Sequence, residues 1–258
     1  MQEIKNIDNQ TYRELPAISA SDIKLVLENP LLYKNKWSKP KTDSMILGSV
    51  IHCLVIEPDK FDTYYKIIDS SLKKKDIEKL QDMQSQDSKQ TLIKEDIFNE
   101  AKQVSDAILK SNIGNFFKGG FGEASYVKEC YGVKCKVRPD YFLPDKKIII
   151  DLKTTKFGGA NPNVFQKTIT NFKYYIQAAF YIDVLQADKL FFVAVETESP
   201  YMIGLFELDN VALDLGRDKI KKAIDIIKNI DAYTNIYLND KNERLHSVSL
   251  PAYAFYEN

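Results

Sequence analysis

Residues 146–153 read Lys-Lys-Ile-Ile-Ile-Asp-Leu-Lys, an apolar run that closes with a carboxylate and an ammonium two positions apart. β-Branched side chains pack well on a pleated surface, so the isoleucines predict a buried strand over about 147–153. Residues i and i+2 of a strand share a face. Asp151 and Lys153 therefore project together, while Ile150 and Leu152 face the other way. Upstream, Pro139-Asp140 opens the loop into this strand, and a turn there returns Asp140 beside Asp151. Two close carboxylates repel unless a cation neutralises them or one takes up a proton. Such an oxygen-rich cluster suits Mg²⁺ or Mn²⁺, with Lys153 placed to orient a water or meet charge on a phosphate. A bare Asp-x-Lys is also a common surface salt bridge at a strand end, and the tripeptide alone leaves both readings open.

The 258 residues are 44% hydrophobic and 28% charged, which supports a globular core. Lys+Arg and Asp+Glu balance at 36 each, so bulk charge steers no polyanion, and nucleic-acid binding would need locally concentrated positive charge. Cys53, Cys130 and Cys135 form no Cys-x-x-Cys pair, which argues against a disulfide framework or a zinc site and predicts a reducing cytoplasm. No apolar run approaches the ~18–20 residues of a membrane span, and the opening MQEIKNIDNQ is too polar for a signal peptide.

Along the chain, Ser19 and Asp22 have capping-box spacing, predicting a helix that ends before Pro30. Ile46, Val50, Ile51, Leu54 and Val55 make one apolar helical face. Residues 70–90 are polar enough to predict a mobile excursion. Ile93, Ile97, Ala101, Val104 and Ile108 then step as an amphipathic helix. Strands are predicted over about 123–130, 132–138 and 147–153, a helix over 161–186, and strands at KLFFVAVE and YMIGLFEL. A helix over about 210–231 and an irregular tail from 233 follow. This order predicts a single α/β domain with a mixed central sheet flanked by helices, a mostly helical part over 1–115 and a core over 120–232.

The longer pattern is Glu123, then Arg138-Pro139-Asp140, ten residues, then Asp151-Leu152-Lys153-Thr154-Thr155. It resembles the PD-(D/E)xK nuclease superfamily, which has a restriction-endonuclease-like core. LGSVIHCLVIEP is similar to the Gly-x-x-x-His helix of RecE-type exonucleases (exonuclease VIII), with Gly48 and His52 one turn apart. YYIQAAFYIDVL is similar to the Gln-x-x-x-Tyr helix of that branch, with Gln177 and Tyr181 on one face. The opening ISASDIKLVLENPLLY is similar as well, so the likeness runs from about 17 to 230.

The resemblance implies Mg²⁺, with Mn²⁺ as a substitute, held by His52, Glu123, Asp140 and Asp151, and a catalytic set of Lys153, Asp140, Asp151 and Glu123. It implies DNA contacts from Gln177, Tyr181 and Thr154. Lys134, Lys136 and Arg138 alternate on one strand face that points towards Asp140, which predicts phosphate contacts for Lys136 and Arg138. Relatives with an iron–sulfur cluster need four cysteines, three of them near the C-terminus. No cysteine follows Cys135, so no cluster is expected. By resemblance the reaction is 5′→3′ degradation of double-stranded DNA ends, leaving a 3′ strand for recombination in a phage or prophage setting. A single-strand annealing partner and a ring-shaped homo-oligomer are implied likewise. A PD-(D/E)xK endonuclease and a non-catalytic DNA-binding module are the alternatives.

Overall fold

The computed structural model describes residues 2–4, 7–35, 42–82 and 90–238. Its first half contains β1 (Gln2–Ile4), α1 (Asn9–Glu14), α2 (Ala20–Glu28), α3 (Pro30–Lys34) and α4 (Asp43–Ile56), followed by α5 (Phe61–Tyr64), β2 (Tyr65–Ile68), α6 (Lys74–Asp82), β3 (Thr91–Lys94) and α7 (Glu95–Lys110). The Ser19–Asp22 capping box is present and starts α2. Within the segment read as an excursion, α6 occupies 74–82. Ile93 belongs to β3, paired in parallel with β2, and the amphipathic helix begins only at Glu95.

The second half contains β4 (Phe121–Gly122), β5 (Ser125–Cys130), β6 (Val133–Val137), β7 (Tyr141–Leu143), β8 (Ile148–Thr155), α8 (Pro162–Asn171), α9 (Tyr174–Leu185), β9 (Lys189–Glu196), β10 (Ile203–Glu207), α10 (Asn210–Lys228) and α11 (Ile230–Leu238). The helix expected over 161–186 breaks at Lys173, whose left-handed backbone (φ 54°) separates α8 from α9. α11 takes up the start of the expected irregular tail, and the rest of that tail lies outside the described residues.

The central sheet runs β10-β9-β8-β7-β4. β8 and β9 are parallel and the other neighbours antiparallel, so the sheet is mixed, as the element order predicts. The β5–β6 hairpin pairs with β1 in a separate sheet. β8 is buried on both faces. Ile149 packs with Phe165, Ile176, Phe180 and Phe192, whereas Ile150 and Leu152 pack with Val50, Ile51, Val104 and Ile108 of α4 and α7. Polar side chains on such a strand must find partners inside the fold. Among the described residues no helix is long and apolar enough to cross a membrane.

Candidate metal centre

The register of three short ladders brings the acidic residues together. Tyr141 of β7 pairs with Ile150 of β8, and Gly122 of β4 pairs with Tyr141. One step further along these antiparallel ladders, Asp140 falls beside Asp151 and Glu123 beside Asp140. Two hydrogen bonds hold that step: Glu123 N–H donates to the Asp140 carbonyl at 3.0 Å, and Leu152 N–H donates to Asp140 Oδ2 at 2.7 Å. Glu123 occupies the break between β4 and β5, with φ 48°.

Helix α4 delivers the histidine. A Cβ on Gly48 would stand 3.1 Å from Thr154 Oγ1 on β8, and one on Gly122 would stand 2.5 Å from Ile56 Cγ2. The helix thus lies close to β8 at Gly48, near its middle, and close to β4 at Ile56, its last residue. His52 lies four residues from each of these contact points, Gly48 and Ile56, and its Nδ1 is 3.6 Å from Asp140 Oδ2. His52, Glu123 and Asp140 offer ligand atoms all within 4.8 Å of one another.

Asp151 stands outside that trio. It is 0% exposed, its Oδ2 accepts from Gln177 Nε2 at 2.5 Å, and Lys153 Nζ lies 2.5 Å from Oδ1. The Lys153 contact is an ion pair set off the hydrogen-bond direction, so Oδ1 remains without a hydrogen bond.

The family model for the PDDEXK-like domain of unknown function (DUF3799) matches residues 27–235. The chain belongs to that family. A structure from Eubacterium rectale, whose exonuclease designation is itself provisional, superposes with a TM-score of 0.62 at 13% identity, covering 95% of this chain and 96% of its own. It shows the same fold. A phage-related exonuclease from Haemophilus somnus (TM-score 0.37, 11% identity, 88% and 96% covered) and an alkaline exonuclease from Laribacter hongkongensis (0.34, 12%, 90% and 99%) are more distant. Among curated proteins none matches.

In this PDDEXK-like domain the charge balance of the site suits a cation. Burial, then Asp140 and Glu57, push Glu123 from its ordinary 4.5 up to about 8, against a smaller pull from Arg138. Burial lifts Asp151 to about 6, while Lys153 pulls it back. Burial works against the Lys153 ammonium, but Asp151 and Asp140 outweigh it and raise its pKa above the ordinary range. Crowded, desolvated carboxylates of this kind fit a divalent cation, which takes carboxylate oxygens as ligands and can add an imidazole.

Several residues expected to touch DNA have other tasks. Lys136 is 5% exposed, and its Nζ donates to the carbonyls of Tyr12, Arg13 and Leu15 at 3.1, 2.8 and 2.9 Å. Ile18 bridges the edge of β6 at Cys135, and the end of α1 with its cap meets the Lys136 side chain on the face that strand alternation predicted to be open. Arg138 donates to Ser125 Oγ, Asn9 Oδ1 and the Ile7 carbonyl, and its guanidinium lies 4.4 Å from the Tyr12 ring centre. Tyr181 donates to the Arg138 carbonyl at 3.1 Å, which steadies the loop before Asp140. Thr154 is half-buried against Gly48. Gln177 is turned towards Asp151. Sequence reasoning missed Lys24, Tyr174 and Glu57. Lys24 Nζ donates to Gln177 Oε1 at 3.3 Å, and both Lys24 and Lys153 lie against the Tyr174 ring.

Proposed function

We propose that this chain is a Mg²⁺-dependent exodeoxyribonuclease acting on double-stranded DNA ends, with Mn²⁺ as a substitute ion. The observation that carries the reading is the row Glu123–Asp140–Asp151, flanked by His52 and Lys153. His52, Glu123 and Asp140, with the Asp151 carboxylate adjoining, would hold the ion. A divalent ion bound there supplies Lewis-acid polarisation of a phosphate oxygen and acidifies water.

The chain's own side chains do the positioning. Leu152 N–H fixes Asp140, and Gln177 fixes Asp151. Lys153 is an ammonium with three donors and no acceptor. It orients water and phosphate oxygens by donating hydrogen bonds, and it meets the negative charge that grows as the phosphate is attacked. The family resemblance supports 5′→3′ polarity, release of a 3′ single strand for recombination, a phage or prophage setting in the bacterial cytoplasm, an annealing-protein partner and a ring-shaped homo-oligomer.

The test uses linear duplex labelled at either end, digested with Mg²⁺ beside a covalently closed circle. Early release of the 5′ label with the circle intact is the expected result. Cutting of the circle would overturn the exonuclease reading in favour of an endonuclease. No metal-dependent cutting of either substrate would overturn the nuclease reading.

A further inference from the structure

The break between α8 and α9 sets an exposed ring next to the metal centre. Phe172, the last residue before the left-handed Lys173, is 61% exposed. Its ring stacks on Tyr174 at 5.7 Å and 20°. Tyr174 in turn stacks on Phe192 at 5.5 Å and 25°, and Phe192 is the residue paired with Asp151 across β8 and β9. Three rings thus lead from solvent to the strand position of the catalytic carboxylate.

Two ammonium groups lie against the middle ring: Lys153 Nζ at 4.8 Å from its centre and Lys24 Nζ at 5.3 Å. Lys153 is neutralised by Asp151, but Lys24 has no carboxylate within ion-pair range among the described residues. Burial, Lys153 and Lys173 lower the Lys24 pKa to about 8, against a pull from Asp151, as expected for an ammonium that lacks a counter-ion. An open aromatic face beside an unneutralised cation matches the two halves of a nucleotide, a flat base and a phosphate. Inside a duplex both faces of a base are covered by its neighbours, so only a base at a strand end or one that has left the stack presents its face to a side chain.

We propose that Phe172, Tyr174 and Lys24 form a subsite for an unpaired DNA nucleotide beside the metal centre, its base stacked on Phe172 and its phosphate at Lys24. This rests on the nuclease reading above and extends it: the strand enters frayed or single-stranded, and a base inside an intact duplex does not reach the subsite.

The test uses the full chain in EDTA with oligodeoxynucleotides carrying 2-aminopurine at a terminal overhang or inside a blunt duplex. The overhang probe is expected to be quenched on binding and the duplex probe is not. Phe172→Ala should lose the quench and weaken overhang binding about tenfold or more. Phe172→Trp should keep both, and Phe172→Leu should lose the quench although it is apolar. Lys24→Gln should weaken binding and reduce the salt slope by about 0.7. Phe172 is exposed, so matched thermal midpoints should show that these variants fold.

Unchanged quench and affinity in Phe172→Ala would overturn the subsite. So would full function in Phe172→Leu, or a change in oligomeric mass with DNA binding intact, which would assign the ring to a contact between copies. Cutting is scored separately with Mg²⁺. A Phe172-dependent quench without any cutting by the unaltered chain supports the subsite and overturns the nuclease reading. Mg²⁺-dependent cutting with no Phe172-dependent quench overturns the subsite alone.

Discussion

Gln177 Nε2, in the first turn of α9, donates to Asp151 Oδ2 at 2.5 Å, while Oε1 of the same amide accepts from Lys24 at 3.3 Å. The cation at one end fixes which way the amide points, and the amide then fixes the carboxylate. Partners of this kind around metal ligands typically contribute 10–100-fold to affinity or activity. Gln177→Ala should therefore lower kcat by about 10–100-fold and raise the Mg²⁺ concentration needed for half-maximal rate. Gln177→Glu should be worse, since it adds a carboxylate to a site already short of positive charge. Initial rates against Mg²⁺ concentration measure both effects. A Gln177→Ala enzyme with unaltered Mg²⁺ dependence would leave the amide without this role.

Asp151 and Lys153 form an ion pair that is 0% and 18% exposed. Removing one member of a buried pair strands the other charge and costs about 3–5 kcal/mol. Lys153→Met should lose that much stability together with metal-dependent cleavage. Asp151→Asn combined with Lys153→Met should recover part of the stability and none of the activity, because both charges are then gone. Denaturant unfolding and cleavage rates on the same preparations separate the two effects. Cleavage by Asp151→Ala or Lys153→Ala at the unaltered rate would refute the mechanism.

The long elements were legible in the sequence for simple reasons. β8 is a continuous apolar run, α7 keeps a helical period, and α2 begins at a capping box. The pairing of Asp151 with Lys153 followed from strand alternation alone. Asp140 beside Asp151 followed from the turn at Pro139, but the place of Glu123 in the row depends on cross-strand register through β4 and β7, which are two and three residues long and too short to show a period. Alternation also assigns Lys136 to a face without saying what covers that face. The helix break at Lys173 carries no glycine or proline, so no local signal marked the place where Phe172 and Tyr174 meet.

Glu123 gives the site a pH dependence of definite sign. Its folded pKa, about 8, lies above the ordinary 4.5, so the native state keeps a proton that the unfolded chain releases. The unfolded state then binds fewer protons, and stability falls as pH rises. Without metal, this contribution is complete below about pH 4.5 and is lost on the way to about pH 8. Asp151, raised to about 6 by burial against the pull of Lys153, acts in the same direction over a lower window. The thermal midpoint in EDTA should drop by several degrees between about pH 5 and pH 8. Glu123→Gln should flatten the drop, and Mg²⁺ should reverse it by favouring the ionised carboxylates. A midpoint in EDTA that rises with pH across this window would contradict the burial of Glu123.

Lys136 and Lys134 sit two residues apart on the same face of β6, yet only Lys134 is exposed. The three hydrogens of the Lys136 ammonium are all taken by carbonyls of residues 12, 13 and 15, the end of α1 and its cap. Hydrogen bonds from a charged donor are worth about 1.5–3 kcal/mol each, and losing them leaves carbonyls unpaired next to an apolar side chain. Because some of those carbonyls can turn to water, Lys136→Met should cost roughly 2–4 kcal/mol in total. DNA affinity, measured under conditions where the variant is folded, should be unchanged, because the ammonium does not reach the surface. Lys134→Met should leave stability within about 0.5 kcal/mol, as surface substitutions do. A Lys136→Met chain that kept its stability and lost DNA affinity would restore the phosphate contact expected from strand alternation and refute the clamp on α1.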